Sequence, residues 1–181
     1  QAAGIRVEIA DRALERISRK ENCFAAMVYK KQEGVFSGDA PHIVLHHPSD
    51  SGNLGTILRT ADAAGMTGLV LLRGTVDVYS PKVVRAAMGS LFHLPVVADV
   101  TEAEFLTFAG RQQLRLYATA LDATAQPYHT AHFHAASAII FGNEGQGVSE
   151  RLLAASEKLY IPMYGGAESL NVAVSSAIVL Y

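Results

Sequence analysis

IPMYGGAESLNVAVSSAIVLY, residues 161–181, ends the chain and holds the clearest clue to its architecture. It opens on a strand terminus over residues 159–161, which Pro162 breaks. A loop follows with Gly165, Gly166, Glu168 and Ser169, and a helix begins near Asn171. That helix is apolar almost all round: Val172, Ala173, Val174, Ala177, Ile178, Val179 and Leu180, with Ser175 and Ser176 as small polar breaks. A helix without a polar face is expected to be buried. Ser169 and Asn171 are the residue types that cap such a helix. Two glycines, a carboxylate and two capping side chains exceed what capping requires, so the loop reads as one shaped to fit a ligand.

Working outward, the same strand–loop–helix rhythm recurs. Strands are expected at 43–46, 68–72, 94–98, 114–120, 138–141 and 158–161. Helices are expected at 54–64, 81–88, 102–109 and 148–155, with Leu54, Ile57, Leu58 and Ala61 as one buried face and Pro81 at a first helical position. Short apolar strands alternating with helices predict an α/β fold, a parallel sheet covered on both faces. Ligands of such sheets bind beyond the carboxyl ends of the strands. Before this region, residues 11–20 read as a basic amphipathic helix, 25–29 as a strand and 30–40 as a linker or loop. A boundary is expected there.

Composition excludes several classes. The chain has 181 residues, 50% hydrophobic and 18% charged, enough for one sizeable core and too apolar for global disorder. No apolar run approaches the ~20 residues of a membrane span, and the start carries no signal-peptide apolar region. A single cysteine, Cys23, excludes an internal disulfide and fits a reducing, cytoplasmic setting. The formal net charge of −2 means that any nucleic acid must be met by local patches; Arg12, Arg16, Arg19 and Lys20 read as either a solvated helix face or a phosphate-contact strip.

Three strand ends carry unusual residues. The first is HHPSDSGNLGTILRTADAAG, residues 46–65, where Ser51 or Asn53 can cap the helix and Arg59 lies off its apolar stripe. A plain capped helix with an Arg59–Asp62 surface pair accounts for it equally well. The second is FGNEGQGV, residues 141–148. Its glycines suggest a phosphate turn, but the spacing matches no dinucleotide or Walker loop and Glu144 would repel an anion. The third is the terminal loop. His129, His132 and His134 lack the cysteine or acidic partners of a zinc site and read as a solvated loop, so no metal is expected.

Taken together, N-x-G-x-x-x-R, F-G-x-E-G-x-G and I-P-M…S-L-N-V resemble the three signature motifs of the SpoU (TrmH-type) RNA ribose methyltransferases of the SPOUT class. The likeness runs from about residue 42 to 181 and includes PKVVRAAMGS, residues 81–90. HHPSDSG before Asn53 departs from the commoner D-P-x-N approach. The resemblance implies a C-terminal trefoil knot, a catalytic domain over 41–181, and a tail of a small RNA-binding domain with linker over 1–40. It implies S-adenosylmethionine held by Gly142, Ile161, Met163, Gly165, Ser169 and Leu170, largely through backbone groups, and methyl transfer to a ribose 2′-hydroxyl of rRNA or tRNA. Arg59 would act on the hydroxyl, with Asn53, Glu144, Ser169 and Asn171 orienting it; the donor is already activated, so the chemistry requires no metal. A cytoplasmic homodimer packed through the last helix is implied as well. Two readings compete: a catalytically silent RNA-binding or assembly protein of the same fold, and a nucleotide-binding enzyme on a doubly wound sheet.

Overall fold

A computed structural model describes Gly34 and residues 38–181. The expected helix at 11–20, strand at 25–29 and Cys23 lie outside the described residues. Among the described residues, seven strands form one sheet: β1 (His42–Leu45), β2 (Gly68–Leu72), β3 (Val96–Val100), β4 (Arg115–Thr119), β5 (Gln126–Pro127), β6 (Ser137–Phe141) and β7 (Glu157–Tyr160). Their order is β3-β2-β1-β6-β4-β7-β5, and every pairing is parallel. The helices are α1 (Ser51–Ala63), α2 (Pro81–Ala86), α3 (Glu102–Arg111), α4 (Glu150–Ala154) and α5 (Val172–Leu180).

Period-two alternation within the strands sorts the core into two layers. Ile43, Leu45, Leu69 and Leu71 face the side covered by α1, α2 and α5, with Leu54, Ile57, Leu58, Val83, Val172 and Val179 completing that layer. Val44, Val70, Leu72 and Ile140 face the other side, against Phe105 and Ala109 of α3 and Leu152 of α4. β1, β2 and β6 are buried along their whole length, as strands covered on both faces must be. That is why they read as unbroken apolar runs.

The expected elements are all present from residue 42 onward, with shifted ends. β3 starts at Val96 rather than 94 because Pro95 has no amide proton and a 3-10 turn, Ser90–Phe92, occupies the approach. α1 starts at Ser51 rather than 54, and its cap is Asp50, neither Ser51 nor Asn53: Asp50 Oδ1 accepts the Asn53 amide at 2.8 Å. β5, a two-residue edge strand, has no counterpart among the expected strands; Pro127 sits in it, where an edge tolerates the missing donor.

One expectation is half corrected. α5 is not buried all round. Val172, Ala173, Ser176 and Val179 are buried against the sheet layer, whereas Val174 is 48% exposed and Tyr181 81% exposed, with Ala177 and Ile178 half-buried beside them. The helix is apolar on both sides, but the core formed by the described residues covers only one.

α1 and α2 touch where α1 has no side chain. A β-carbon added at Gly55 would lie 2.4 Å from Ala86 Cβ and 2.8 Å from the Val83 carbonyl oxygen, whereas one at Gly110 of α3 would meet nothing within 4 Å. Both changes to alanine gain helix propensity, roughly 1 kcal/mol, but only one overpacks a helix contact, at a cost of about 1–3 kcal/mol. Chemical denaturation should therefore show Gly110→Ala stabilised by up to about 1 kcal/mol and Gly55→Ala destabilised by about 1–2 kcal/mol.

Candidate active site at the carboxyl edge of the sheet

In a parallel sheet all strands deliver their following loops to one edge. β1 and β6 are neighbours at its centre, where the strand order reverses, and the first two signature segments follow them directly. β7, which precedes the third, stands two strands away.

The side chain of Asn53 joins the three. Because Asp50 serves as cap, the Asn53 amide is free to turn outward from the first turn of α1. Its Nδ2 donates to Glu144 Oε1 at 2.7 Å, and its Oδ1 accepts from Asn171 Nδ2 at 3.0 Å. Glu144 also receives a long contact from Ser49 Oγ, 3.5 Å from Oε2. Asn171 Oδ1 meanwhile caps α5 by accepting the Ala173 and Val174 amides. Asn53, Glu144 and Asn171, 91 to 118 residues from Asn53 along the chain, thus form one connected polar chain.

Other expected residues stand nearby without joining it. Ser169 is exposed and, among the described residues, makes no side-chain hydrogen bond; Asn171 alone caps α5. Arg59 is exposed two turns along α1 and pairs with no acid among the described residues. The alternative Arg59–Asp62 pair does not form, since Asp62 Oδ2 faces His93 Nδ1 at 3.2 Å. Ile161 and Met163 are half-buried, and Gly165 and Leu170 are exposed. Gly142 has a different reason for being glycine than an open slot: a β-carbon there would lie 2.2 Å from the Gly147 carbonyl carbon and 2.5 Å from the Val148 nitrogen. The turn folds back onto it.

Asn143 builds that turn and was not singled out by its sequence. Its Oδ1 accepts the amides of Gly145 and Gln146, at 2.8 and 3.1 Å, while its Nδ2 donates to the His47 carbonyl at 2.8 Å. Gly147 closes the loop at φ +69°, a conformation that favours glycine. The loop after β4 was also missed. It carries Leu121, 77% exposed, between the ends of β6 and β7, and Asp122, which accepts from Lys158 Nζ of β7. A leucine left in water at a strand end is a signal that only the sheet order makes readable. His129, His132 and His134 lie in an exposed segment whose structural role is local: Tyr117 Oη donates to the His132 carbonyl at 2.7 Å.

The electrostatics follow the same contacts. Lys82 Nζ, 2.8 Å from Asp50 Oδ2, and then the Asn53 amide hold the Asp50 carboxyl below its ordinary range. Burial, and then the adjoining His46 ring, push the His47 imidazole down. A depressed carboxyl contributes stability at neutral pH that disappears on acidification through its folded titration point. Lys82→Met should move the Asp50 midpoint upward, read by side-chain carboxyl resonances during an NMR pH titration; an unmoved midpoint would assign the depression to the cap alone.

Comparison with known proteins places this arrangement. Residues 40–181 match the family model described as the SpoU rRNA Methylase family. A 23S rRNA (guanosine(2553)-2′-O)-methyltransferase of Bacillus subtilis is 46% identical over 140 residues, covering 77% of this chain and 56% of its own. The AdoMet-bound rRNA methyltransferase of Sinorhizobium meliloti superposes with a TM-score of 0.71 at 35% identity, covering 80% of this chain and 55% of its own. The SpoU methyltransferase AviRb of Streptomyces viridochromogenes, in complex with AdoMet, gives 0.74 at 31% identity, covering 81% and 57%. The chain spans about half the length of the curated relatives it matches. With the fold, the three strand-end motifs and the family model agreeing over residues 40–181, this chain belongs to the SpoU rRNA methylase family.

Proposed function

We propose that this chain is the catalytic part of an S-adenosylmethionine-dependent methyltransferase that modifies a ribose 2′-hydroxyl in rRNA or tRNA. The observation that carries the reading is the Asn53-centred polar chain, which joins the three family motifs at one edge of the sheet, with Arg59 exposed on the same helix as Asn53 and, among the described residues, without an acidic partner. Relatives named as 23S rRNA 2′-O-methyltransferases, and neighbours solved with AdoMet, support the reaction and the donor.

The residues at the strand ends fit such a ligand. Exposed Leu121 and Leu170 offer apolar contact, and a β-carbon added at Gly165 or Gly166 would meet nothing within 4 Å. Backbone amides and carbonyls of residues 142–147 and 161–170 would hold the adenosine, with Gly142, Ile161, Met163, Gly165, Ser169 and Leu170 as the contacts. When bound, S-adenosylmethionine supplies a methyl group already activated on a sulfonium. What remains for the protein is the alcohol, a weak nucleophile until its proton is removed or shared.

Arg59 is assigned to that task. A guanidinium stays protonated, so it does not act as a simple base; it stabilises charge developing on the 2′-oxygen and grips a neighbouring phosphate. The RNA phosphate or solvent takes the proton. Glu144 and Asn171, linked through Asn53, orient the ribose, and Ser169 contributes its hydroxyl. The silent-protein alternative finds less support, because every polar member of the motif set is present and Arg59 is not consumed in an ion pair among the described residues.

We further infer a homodimer in the cytoplasm. No helix among the described residues is long and apolar enough to cross a membrane, and the uncovered face of α5, with Val174, Ala177, Ile178 and Tyr181, suits a second copy of itself. The threading of the last segment into a trefoil knot belongs to the same proposal and is supported by the shared fold of the solved neighbours. So does the division at residues 40 and 41, with an RNA-binding domain tail and linker before it.

Two experiments test the proposal. With methyl-labelled S-adenosylmethionine and total ribosomal or transfer RNA, Arg59→Ala should keep donor affinity but lose about 100-fold or more in single-turnover rate, within the range for one lost transition-state donor. Arg59→Lys should fail nearly as badly if forked, planar contact is needed. Normal turnover in the alanine variant would remove Arg59 from the reaction. Val174→Glu, at a position in the first turn of α5 where a carboxylate does not harm the helix, should convert dimer to monomer in light scattering at micromolar concentration. A monomeric wild type would reject the dimer.

A further inference from the structure

His46 is the first residue beyond β1 and is 5% exposed. Its amide extends the sheet ladder to the Phe141 carbonyl at 2.9 Å. Its ring spans two further elements: Nδ1 lies 3.1 Å from the Gly147 carbonyl oxygen, and Nε2 lies 3.1 Å from Glu102 Oε1. None of the chemistry assigned above uses this side chain.

A buried histidine at a sheet end is ordinarily a packing residue. Two features argue for more. The first is what the ring grips. The Gly147 carbonyl also accepts the Asn143 amide at 3.1 Å, and it belongs to the peptide that lies against Gly142. Holding that peptide holds the shape of the whole 142–147 turn. The second is where the other end is anchored. Glu102 is the first residue of α3, whose start is secured by a complete Thr101–Glu104 capping box. The ring therefore ties a rigid helix end to a glycine turn that has few side chains of its own to order it.

We propose that His46 is a positioning residue: clamped by Glu102, it sets the 142–147 turn in the form that accepts S-adenosylmethionine. The functional half of this inference rests on the cofactor reading above. Hydrogen-bond chemistry makes the clamp specific. Both partners are acceptors, so a neutral ring can donate to only one of them, and both bonds stand together only in the doubly protonated ring. The amide of Glu102→Gln changes this requirement, because it can donate to Nε2 while Nδ1–H still donates to Gly147. The His47 ring stacks on that of His46, with centroids 4.1 Å apart.

The test uses two readouts on the same variants. Amide exchange at Asn143 and Gly147, whose N–H groups are paired within the turn at 3.1 and 2.8 Å, reports its shape without ligand. Calorimetric titration with S-adenosylmethionine reports its use. His46→Ala and Glu102→Ala should each speed exchange about tenfold, weaken binding about tenfold, and leave the rate at saturating cofactor within about twofold of wild type. Glu102→Gln should stay within about threefold in exchange and affinity, whereas Glu102→Met, of similar size but without a hydrogen-bonding end, should behave like the alanine variant, a split that mere packing would not produce. Should His46→Ala fail to fold, the Glu102 pair carries the comparison, since that side chain is only partly buried. Unchanged exchange in the alanine variants overturns the clamp. Faster exchange with unchanged affinity overturns its role in binding. A wild-type protein that binds no S-adenosylmethionine is a separate result: it removes the cofactor assignment and the function given to His46, while the exchange rates still decide whether the clamp exists.

Discussion

The side-chain amide of Asn53 is the interaction on which the candidate site depends. One amide has a donor end and an acceptor end, and here each meets a different loop: Nδ2 the carboxylate of Glu144, Oδ1 the amide of Asn171. No isosteric apolar side chain could join them, and an aspartate would set two carboxylates against each other. The arrangement requires Asp50 to take the capping duty at α1, and Lys82 in turn holds Asp50 from the start of α2. A helix start, a helix–helix contact and a polar chain are therefore one device.

Its counterpart on the second motif is Asn143. A glycine-rich segment has little intrinsic order, because glycine loses more conformational freedom on folding than other residues. Asn143 supplies the order locally by accepting two amides and donating to the His47 carbonyl. The short antiparallel bridge between Asn143 and Gly147 closes the turn over Gly142. Gly142 thus serves the turn's own packing first. Any ligand contact it makes is presented by a backbone already shaped by its neighbours.

The last helix shows how burial and composition part ways. Its sequence is apolar on every side, which by itself argues for full burial. The core layer that holds α1 covers Val172, Ala173, Ser176 and Val179, and leaves Val174 and Tyr181 in water. A helix packed against one core layer can bury only the stripe that meets it. Composition recorded that both faces avoid water; the fold decided which face the chain itself covers.

Much of the fold was legible from local chemistry. Apolar runs such as Gly68–Leu72 and Ser137–Phe141 announce strands buried on both faces, and Pro81 and Asn171 mark helix starts, because these signals act within a few residues. The motif residues Asn53, Glu144 and Asn171 were legible as a set through their family spacing. What local chemistry could not decide was which of several capping residues would cap: Asp50 won over Ser51 and Asn53, and that choice released Asn53 for the site. Nor could it reveal His46 facing Glu102, Leu121 between the ends of β6 and β7, or the two-residue strand β5. Each of these depends on strand order, and strand order is set by contacts between segments far apart in the chain. The sequence by itself determined the elements and the chemistry they carry; the tertiary structure alone decided which side chains would meet, because long-range packing brings together groups that no local spacing relates.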